Sequence, residues 1–464
     1  MKEDTEPWVG DAKKALDWFI ESMGRYQWYR RRIAIAEYFH SIDKITYTDE
    51  DIQSVGFEKK FAPVAVYSDW ISWYMYLVES VFERQGCDDP SQSSRIYPFF
   101  ATIGRGVDLL KKMKGIAKRL DVLFNEGQNQ PDSTLYELVV AAHYAGHGWT
   151  VEFLEDHPSR KTPDLEITKS NKKYWVECKR FAKVTGYAEK ERQEWQKRVK
   201  HLFNAMRLER VPAYAEIIFK VPVEETDEIM LGAAFTHYNR SGMMKSGKTL
   251  PHLQFDFKAM PLDIAHINSV LEAQPTRPTS PQMIELLTGN YELNGSYTEL
   301  INPHRIDIVN PDDRLFVLNK FYGSVHEAYI AKWDCIAPAS IDKKAKEINK
   351  MLSKALSQIP DEGEGIIHIG YETVTGPLVE LRRHEKIKQV IDDFNYGSKN
   401  INAVFFNAFQ LLTKTDGLDW AETILFFEKD INSPLPKDLL LVPEHIDLRN
   451  DTHWAEDLGN RNVK

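Results

Sequence analysis

The sequence predicts an α/β fold with a helical N-terminal region, and three observations predict it. Residues 164–167 and 174–181 alternate polar and apolar on either side of a Lys169-Ser170-Asn171 turn, the pattern of a β-hairpin. One helical pattern precedes this hairpin at 135–145 and another follows it at 187–210, so helices and strands interleave. From residue 339 onward the chain returns to the same alternation, with helix patterns at 341–359 and 379–394 and strand patterns at 366–369, 403–406 and 423–427.

In chain order, residues 1–130 read as a helical region. Trp18, Phe19, Met23, Ile33, Ile35, Tyr38 and Phe39 recur at helical spacing, 68–84 is rich in aromatic residues, and 107–124 places Leu109, Leu110, Met113, Ile116, Ala117 and Leu120 on one face. Arg25 to Arg32 interleaves arginines with Tyr26, Trp28 and Tyr29. That is a nucleic-acid-surface composition, and equally that of a packed helix with snorkelling arginines. The polar run 126–130 leads into Pro131-Asp132, a natural junction.

Residues 131–225 form the next unit. The 135–145 helix is apolar nearly all round and therefore buried. Glu137 is its one acid, and a buried carboxylate needs a metal or a partner; the plain alternative is an acid favoured by the helix dipole near an N-terminus. Gly146 and Gly148 end this helix, and 149–153 reads as the first strand. In the hairpin, the two-residue period puts Glu177 and Lys179 on one face and Val176 and Cys178 on the other. The 187–210 helix carries Trp195, Val199, Leu202, Phe203 and Met206 on one stripe, Pro212 closes it, and 215–219 is read as a further strand of the same unit. Residues 226–338, with loop-like stretches at 238–252 and 275–281, are an insertion without a recognisable motif. Residues 339–464 are an α/β extension that either prolongs the first sheet or stands alone.

Two carboxylates and a lysine on one face of a hairpin suit a particular chemistry. Carboxylates on neighbouring strands bind a hard divalent cation through oxygen, with magnesium keeping several waters. Such a cation lowers the pKa of a bound water and stabilises charge on a phosphoryl oxygen. A lysine beside it orients the water, helps deprotonate it, or offsets the charge developing at phosphorus.

Pro163-Asp164 followed by Glu177-Cys178-Lys179, with Glu137 on the preceding helix, resembles the PD-(D/E)xK nuclease superfamily of restriction endonuclease-like phosphodiesterases. The resemblance covers residues 133–221. It implies an αβββαβ core and a divalent-metal-dependent nuclease, with Mg2+ as cofactor and Mn2+ able to substitute. Asp164 and Glu177 would bind the metal, with the Cys178 backbone carbonyl as a further ligand; Glu137 would support the site, and Lys179 would act on the water. Nucleic acid is the implied partner, DNA in preference to RNA, and a homodimer is compatible. No Gln-xxx-Tyr follows Lys179, which departs from the recombination-exonuclease branch. Two other readings stay open: a non-catalytic nucleic-acid-binding protein on the same fold, and a phosphodiesterase acting on RNA or nucleotides.

Charge and composition bound these readings. The net charge of −10 argues against a uniformly basic nucleic-acid binder, but 157–210 holds 15 Lys and Arg against 7 Asp and Glu. The hairpin segment is thus the basic stretch of an acidic chain, suited to phosphate; Lys190, Lys197 and Lys200 are equally explained as a solvated helix face. No apolar run approaches a membrane span and the first residues lack signal-peptide features. Three widely spaced cysteines, Cys87, Cys178 and Cys335, fit a reducing cytoplasm and give no zinc spacing. His143 and His147 are four apart on a helix, but no third ligand lies near them in sequence. Glu166 is an auxiliary ligand candidate or a strand-end charge, and Gly104-Arg105-Gly106 is too short for a phosphate loop.

Overall fold

The computed structural model describes residues 7–43, 67–84, 87, 89–155, 161–181, 185–307, 315, 317, 320–345, 348–413, 418–430, 433–441, 452–455 and 458. Arg160 and Lys183 of the basic stretch, and the C-terminal tail after 458, lie outside them. The described chain is mixed α/β, with two sheets.

The first sheet has the order β1-β2-β3-β9-β10-β11. Strands β1 (Thr150–Phe153), β2 (Leu165–Lys169) and β3 (Lys172–Arg180) form an antiparallel meander, in which Leu165 faces Val176 and Ile167 faces Tyr174. Ser170 takes a positive φ of 54° in the turn between β2 and β3. β3 then pairs in parallel with β9 (Glu364–Glu372), β9 in parallel with β10 (Asn400–Thr413), and β10 antiparallel with β11 (Leu418–Glu428). A parallel pair needs a crossover, and the helix Ile348–Leu356, which packs on β3 and β9, provides the last part of it.

Both faces of this sheet are covered. Val151, Phe153, Leu165, Ile167, Val176, Ile366, Phe405 and Phe409 share one core with the helix Asp132–Gly146 and the N-terminal helices Pro7–Met23, Arg25–Asp43, Trp70–Glu83 and Pro90–Arg105. Ile367, Ile369, Val404, Phe406 and Ala408 face the other way, against Ile348, Leu352 and Ala355 and against Ile387 of the helix Pro377–Asp393. Strands buried on both faces explain the continuous apolar runs at 366–369 and 403–406. The basic-aromatic helix belongs to the same core: Trp28 is buried and bonds Glu79 at 3.0 Å, Arg32 pairs with Glu79 at 3.0 Å, and Arg31 donates to the Phe124 carbonyl at 2.8 Å.

The expected strand at 215–219 exists, as β4 (Ala213–Phe219), but not in the first sheet. It belongs to a second sheet of order β5-β6-β4-β8-β7, where β5 is Leu250–Pro251, β6 Phe255–Pro261, β8 Lys320–Cys335 and β7 Ser296–Asp307. This sheet buries the apolar stripe of the helix Gly186–Glu209, including Trp195, Leu202 and Met206. Residues 131–225 therefore do not close on themselves; β9 takes the place expected of 215–219. A single amphipathic strand pattern carries no label for its sheet, and pairing partners decide it. The 107–124 stretch is also not one helix. It breaks at Gly115, whose φ is +82° and where a Cβ would come within 2.2 Å of the Phe153 carbonyl oxygen. The Lys114 carbonyl accepts from the Phe153 amide at 3.0 Å, docking the break on β1.

Candidate active site

The hairpin opens at its far end, and the predicted acids gather there. Paired register runs from Lys169/Lys172 to Leu165/Val176. One residue further, Asp164 turns its side chain into the ladder: Oδ2 accepts from the Cys178 amide at 2.8 Å, as a strand carbonyl would. The Asp164 carbonyl meanwhile accepts from Leu154 beyond β1 at 3.0 Å. Pro163 is buried beside it, pre-setting an extended entry into β2. Asp164 is thus pinned through both backbone and side chain.

Glu177 and Lys179 rise from the face of β3 that meets the Ile348–Leu356 helix. The Lys179 ammonium donates to Glu177 Oε1. Glu177 is wholly buried, and its Oε2 has no hydrogen-bond donor among the described residues. The Asp164 carboxyl is near enough to Glu177 to act on it electrostatically. Glu137 comes from the helix on the opposite face, so the three carboxylates surround the open hairpin end rather than sharing one face of the sheet. Accordingly they do not form a group of three ligand atoms all within 4.8 Å of each other; among the described residues only His143, His147 and Asp438 do.

Arg119 fills the space between the acids. Its Nη1 lies 3.1 Å from Glu137 Oε2 and its Nη2 3.8 Å from Asp164 Oδ1. The guanidinium is 5.8 Å from the Phe153 ring centre. Sequence reading missed this residue because it placed Arg119 on a continuous helix. Only the break at Gly115 swings the short helix Ile116–Asp121 over β1. Glycine within a helical pattern was the available signal.

The electrostatics follow from three buried acids beside two cations. Burial, reinforced by Asp164, holds Glu177 well above the usual carboxylate range against the pull of Lys179. Burial raises Asp164 as well, against Lys179, Arg119 and the Cys178 amide. For Lys179, burial alone would lower the pKa, but Glu177 and Asp164 outweigh it and raise it, so the amine is a cation here. The Cys178 side chain faces the core, and burial pushes its thiol well up. Glu166 pairs with Lys173 at 2.9 Å on the solvated side of the hairpin, which identifies it as a strand charge.

Lys179 also lines a cavity of about 510 Å³ together with Lys161, Arg180, Lys350, Met351, Lys354 and Gln358. Four lysines thus border one opening next to the acids. The lysines expected on the 187–210 helix play no part in it: Lys190 pairs with Glu224 and Lys197 with Glu194 at 2.6 Å. The donor set of the acid cluster is all oxygen, its acids outnumber its cations, and one buried carboxylate oxygen lacks a donor. These features fit a hard divalent cation such as magnesium. Comparison with known proteins adds no relative: no protein-family model, no curated protein and no solved structure matches this chain significantly.

Proposed function

We propose that this protein is a divalent-metal-dependent nuclease of the restriction endonuclease-like type, hydrolysing phosphodiester bonds of DNA. The observation that carries the reading is the acid cluster of Asp164, Glu177 and Glu137 joined through Lys179 to a lysine-lined cavity. A site for binding phosphate alone would not bury three carboxylates beside it, since each repels the ligand. The order of elements supports the reading too: helix Asp132–Gly146, meander β1-β2-β3, helix Ile348–Leu356 and parallel β9 form an αβββαβ series with the second sheet inserted within it.

In this reading Asp164 and Glu177 hold the metal, with the Cys178 carbonyl as backbone ligand and Glu137 beside them. The metal supplies an activated water and a Lewis acid for the phosphoryl oxygen. Lys179 is already protonated, so it acts by donating hydrogen bonds. It orients the attacking oxygen and offsets charge developing at phosphorus. Lys161, Lys350 and Lys354 steer the backbone of the nucleic acid towards it. Arg119 neutralises Glu137 and Asp164 and would compete with a cation for them.

The test is incubation of the full chain with supercoiled plasmid, single-stranded DNA and RNA, each with Mg2+, Mn2+, Ca2+ or chelator. Cleavage of DNA with Mg2+ or Mn2+ is expected, with none in chelator and little with the larger Ca2+ ion. Binding without cleavage in every metal would replace this reading with that of a nucleic-acid-binding protein, and cleavage of RNA alone would change the substrate.

A further inference from the structure

We propose that His143, His147 and Asp438 form a transition-metal site of the zinc type at the C-terminal end of the Asp132–Gly146 helix, separate from the acid cluster. The two histidines are four residues apart, which stacks them on one helix face, and their ring centres are 4.6 Å apart. Asp438 arrives from a segment remote in sequence, and its Oδ2 lies 3.0 Å from His147 Nε2. One ligand atom from each residue lies within 4.8 Å of the other two, so small side-chain rotations bring all three onto one ion.

The hydrogen bonding prepares these atoms for a metal. His147 Nδ1–H donates to the His143 carbonyl at 2.8 Å. A carbonyl can only accept, so in the neutral ring the lone pair is on Nε2, the atom facing Asp438. A ligating histidine commonly donates its other nitrogen to a carbonyl in this way. The His143 ring makes no hydrogen bond among the described residues. Asp438 is held in place by its neighbours: Leu440 and Leu441 donate their amides to the Glu422 carboxylate at 2.9 and 2.7 Å, and Leu435, Leu440 and Leu441 are buried.

Two imidazoles and a carboxylate select against magnesium and calcium and suit tetrahedral zinc with water as fourth ligand. The site is not the acid cluster, because six residues of helix place His143 about 9 Å along the axis from Glu137. A bound ion would tie the helix end to residues 433–441 across the first sheet's core. A plain His147–Asp438 pair would leave His143, whose ring lies beside that of His147, unused.

The experiment is calorimetric titration of the chelator-treated full chain with Zn2+, and of a parallel sample with Co2+ followed by visible absorption. Wild type, His143→Asn, His147→Gln, Asp438→Asn and Asp164→Asn are compared after circular dichroism shows the same secondary structure in each. With Mg2+ in large excess to occupy the acid cluster, one tight zinc equivalent is expected in wild type and Asp164→Asn, with tetrahedral cobalt bands, and each triad variant should weaken that binding by about 100-fold. Asp438 is partly exposed, so its near-isosteric asparagine keeps the test interpretable if a histidine variant fails to fold. Absence of zinc binding in wild type overturns the proposal, as does binding lost in Asp164→Asn and retained in Asp438→Asn.

Discussion

Two buried ion clusters meet at the end of β3, one through Arg180 and the other through Glu177 and Lys179, and they are balanced differently. In the first, Glu372 accepts from Arg95 through Nε at 2.6 Å and Nη2 at 2.5 Å, and from Arg180 at 2.7 Å. Arg180 is further packed between the Phe99 and Phe409 rings at 5.1 Å from each centre. Here two arginines share one carboxylate whose oxygens are both bonded, and the atom left without a partner among the described residues belongs to a cation, Arg180 Nη1. In the second, Glu137, Asp164 and Glu177 outnumber Arg119 and Lys179, and one Glu177 oxygen has no donor. A cluster whose carboxylate is fully bonded to cations rigidifies a core, whereas a buried acid excess is costly unless a further cation arrives. The first is therefore a clamp between the N-terminal helices and the sheet, and the second is the cluster that, on the proposed function, would take a cation.

The largest expected effect lies in the acid cluster. Asp164→Ala and Glu177→Ala should each lower metal-dependent DNA cleavage by about 10³-fold or more, with DNA retention unchanged or improved. Lys179→Ala should lose turnover comparably while still binding Mn2+, read by electron paramagnetic resonance. Full activity in these variants would erase the distinction between the clusters.

Next in size is the clamp. Glu372→Ala leaves Arg95 and Arg180 buried without their shared partner and should cost about 3–5 kcal/mol in denaturant unfolding. Metal binding by the folded fraction should stay at the wild-type level. If Mn2+ affinity falls instead, the two clusters work as one.

Arg119 tests the competition between guanidinium and metal. Arg119→Gln should tighten Mn2+ binding by about tenfold, equivalent to about 1.4 kcal/mol. Weaker binding would make Arg119 a supporting residue of the metal site rather than its competitor.

A smaller effect concerns pH. Because the folded pKa of Glu177 is raised, the folded metal-free protein holds this proton more tightly than the unfolded chain. Stability from this group is thus fully present below the unfolded carboxylate range and is lost as pH rises through the folded value. Glu177→Gln should raise the Tm of the metal-free protein at pH 8 more than at pH 5, the opposite sign to Glu372→Ala; equal shifts at both pH values would remove Glu177 as the cause. Smallest of all, Lys350→Ala with Lys354→Ala should reduce the salt slope of DNA binding by about 0.9 per lost phosphate contact. An unchanged slope would place the nucleic acid elsewhere.

How far the site could be read depended on distance along the chain. Asp164 and Glu177 were legible because a hairpin joins them through the two-residue Ser170-Asn171 turn, so alternation alone fixes their faces. Glu137 stood out as the only acid in an apolar helix. Arg119 was hidden by a helix pattern that continues across Gly115, and the break becomes meaningful only when β1 is seen docking there. Lys350 and Lys354 were readable as polar positions of an amphipathic helix, but not as neighbours of Lys179. His143 and His147 were visible as a pair, yet Asp438 is some three hundred residues away and carries no local mark.

The sequence by itself determined the local elements: the hairpin, the buried helix before it, the amphipathic 187–210 helix and the apolar strands of the last part. Periodicity encodes these because each side chain's face depends on its immediate neighbours. Only the tertiary structure decided that 213–219 pairs with β6 and β8, while β9 completes the first sheet beside β3. Strand edges offer the same backbone donors and acceptors whatever their sequence, so partner choice is settled by which apolar faces can be buried together. Here the stripe of the Gly186–Glu209 helix covers β4, and the Ile348–Leu356 helix covers β3 and β9. That packing opens the lysine-lined cavity at Lys179, while Leu435, Leu440 and Leu441, buried in the core on the sheet's other face, bring Asp438 to the two histidines.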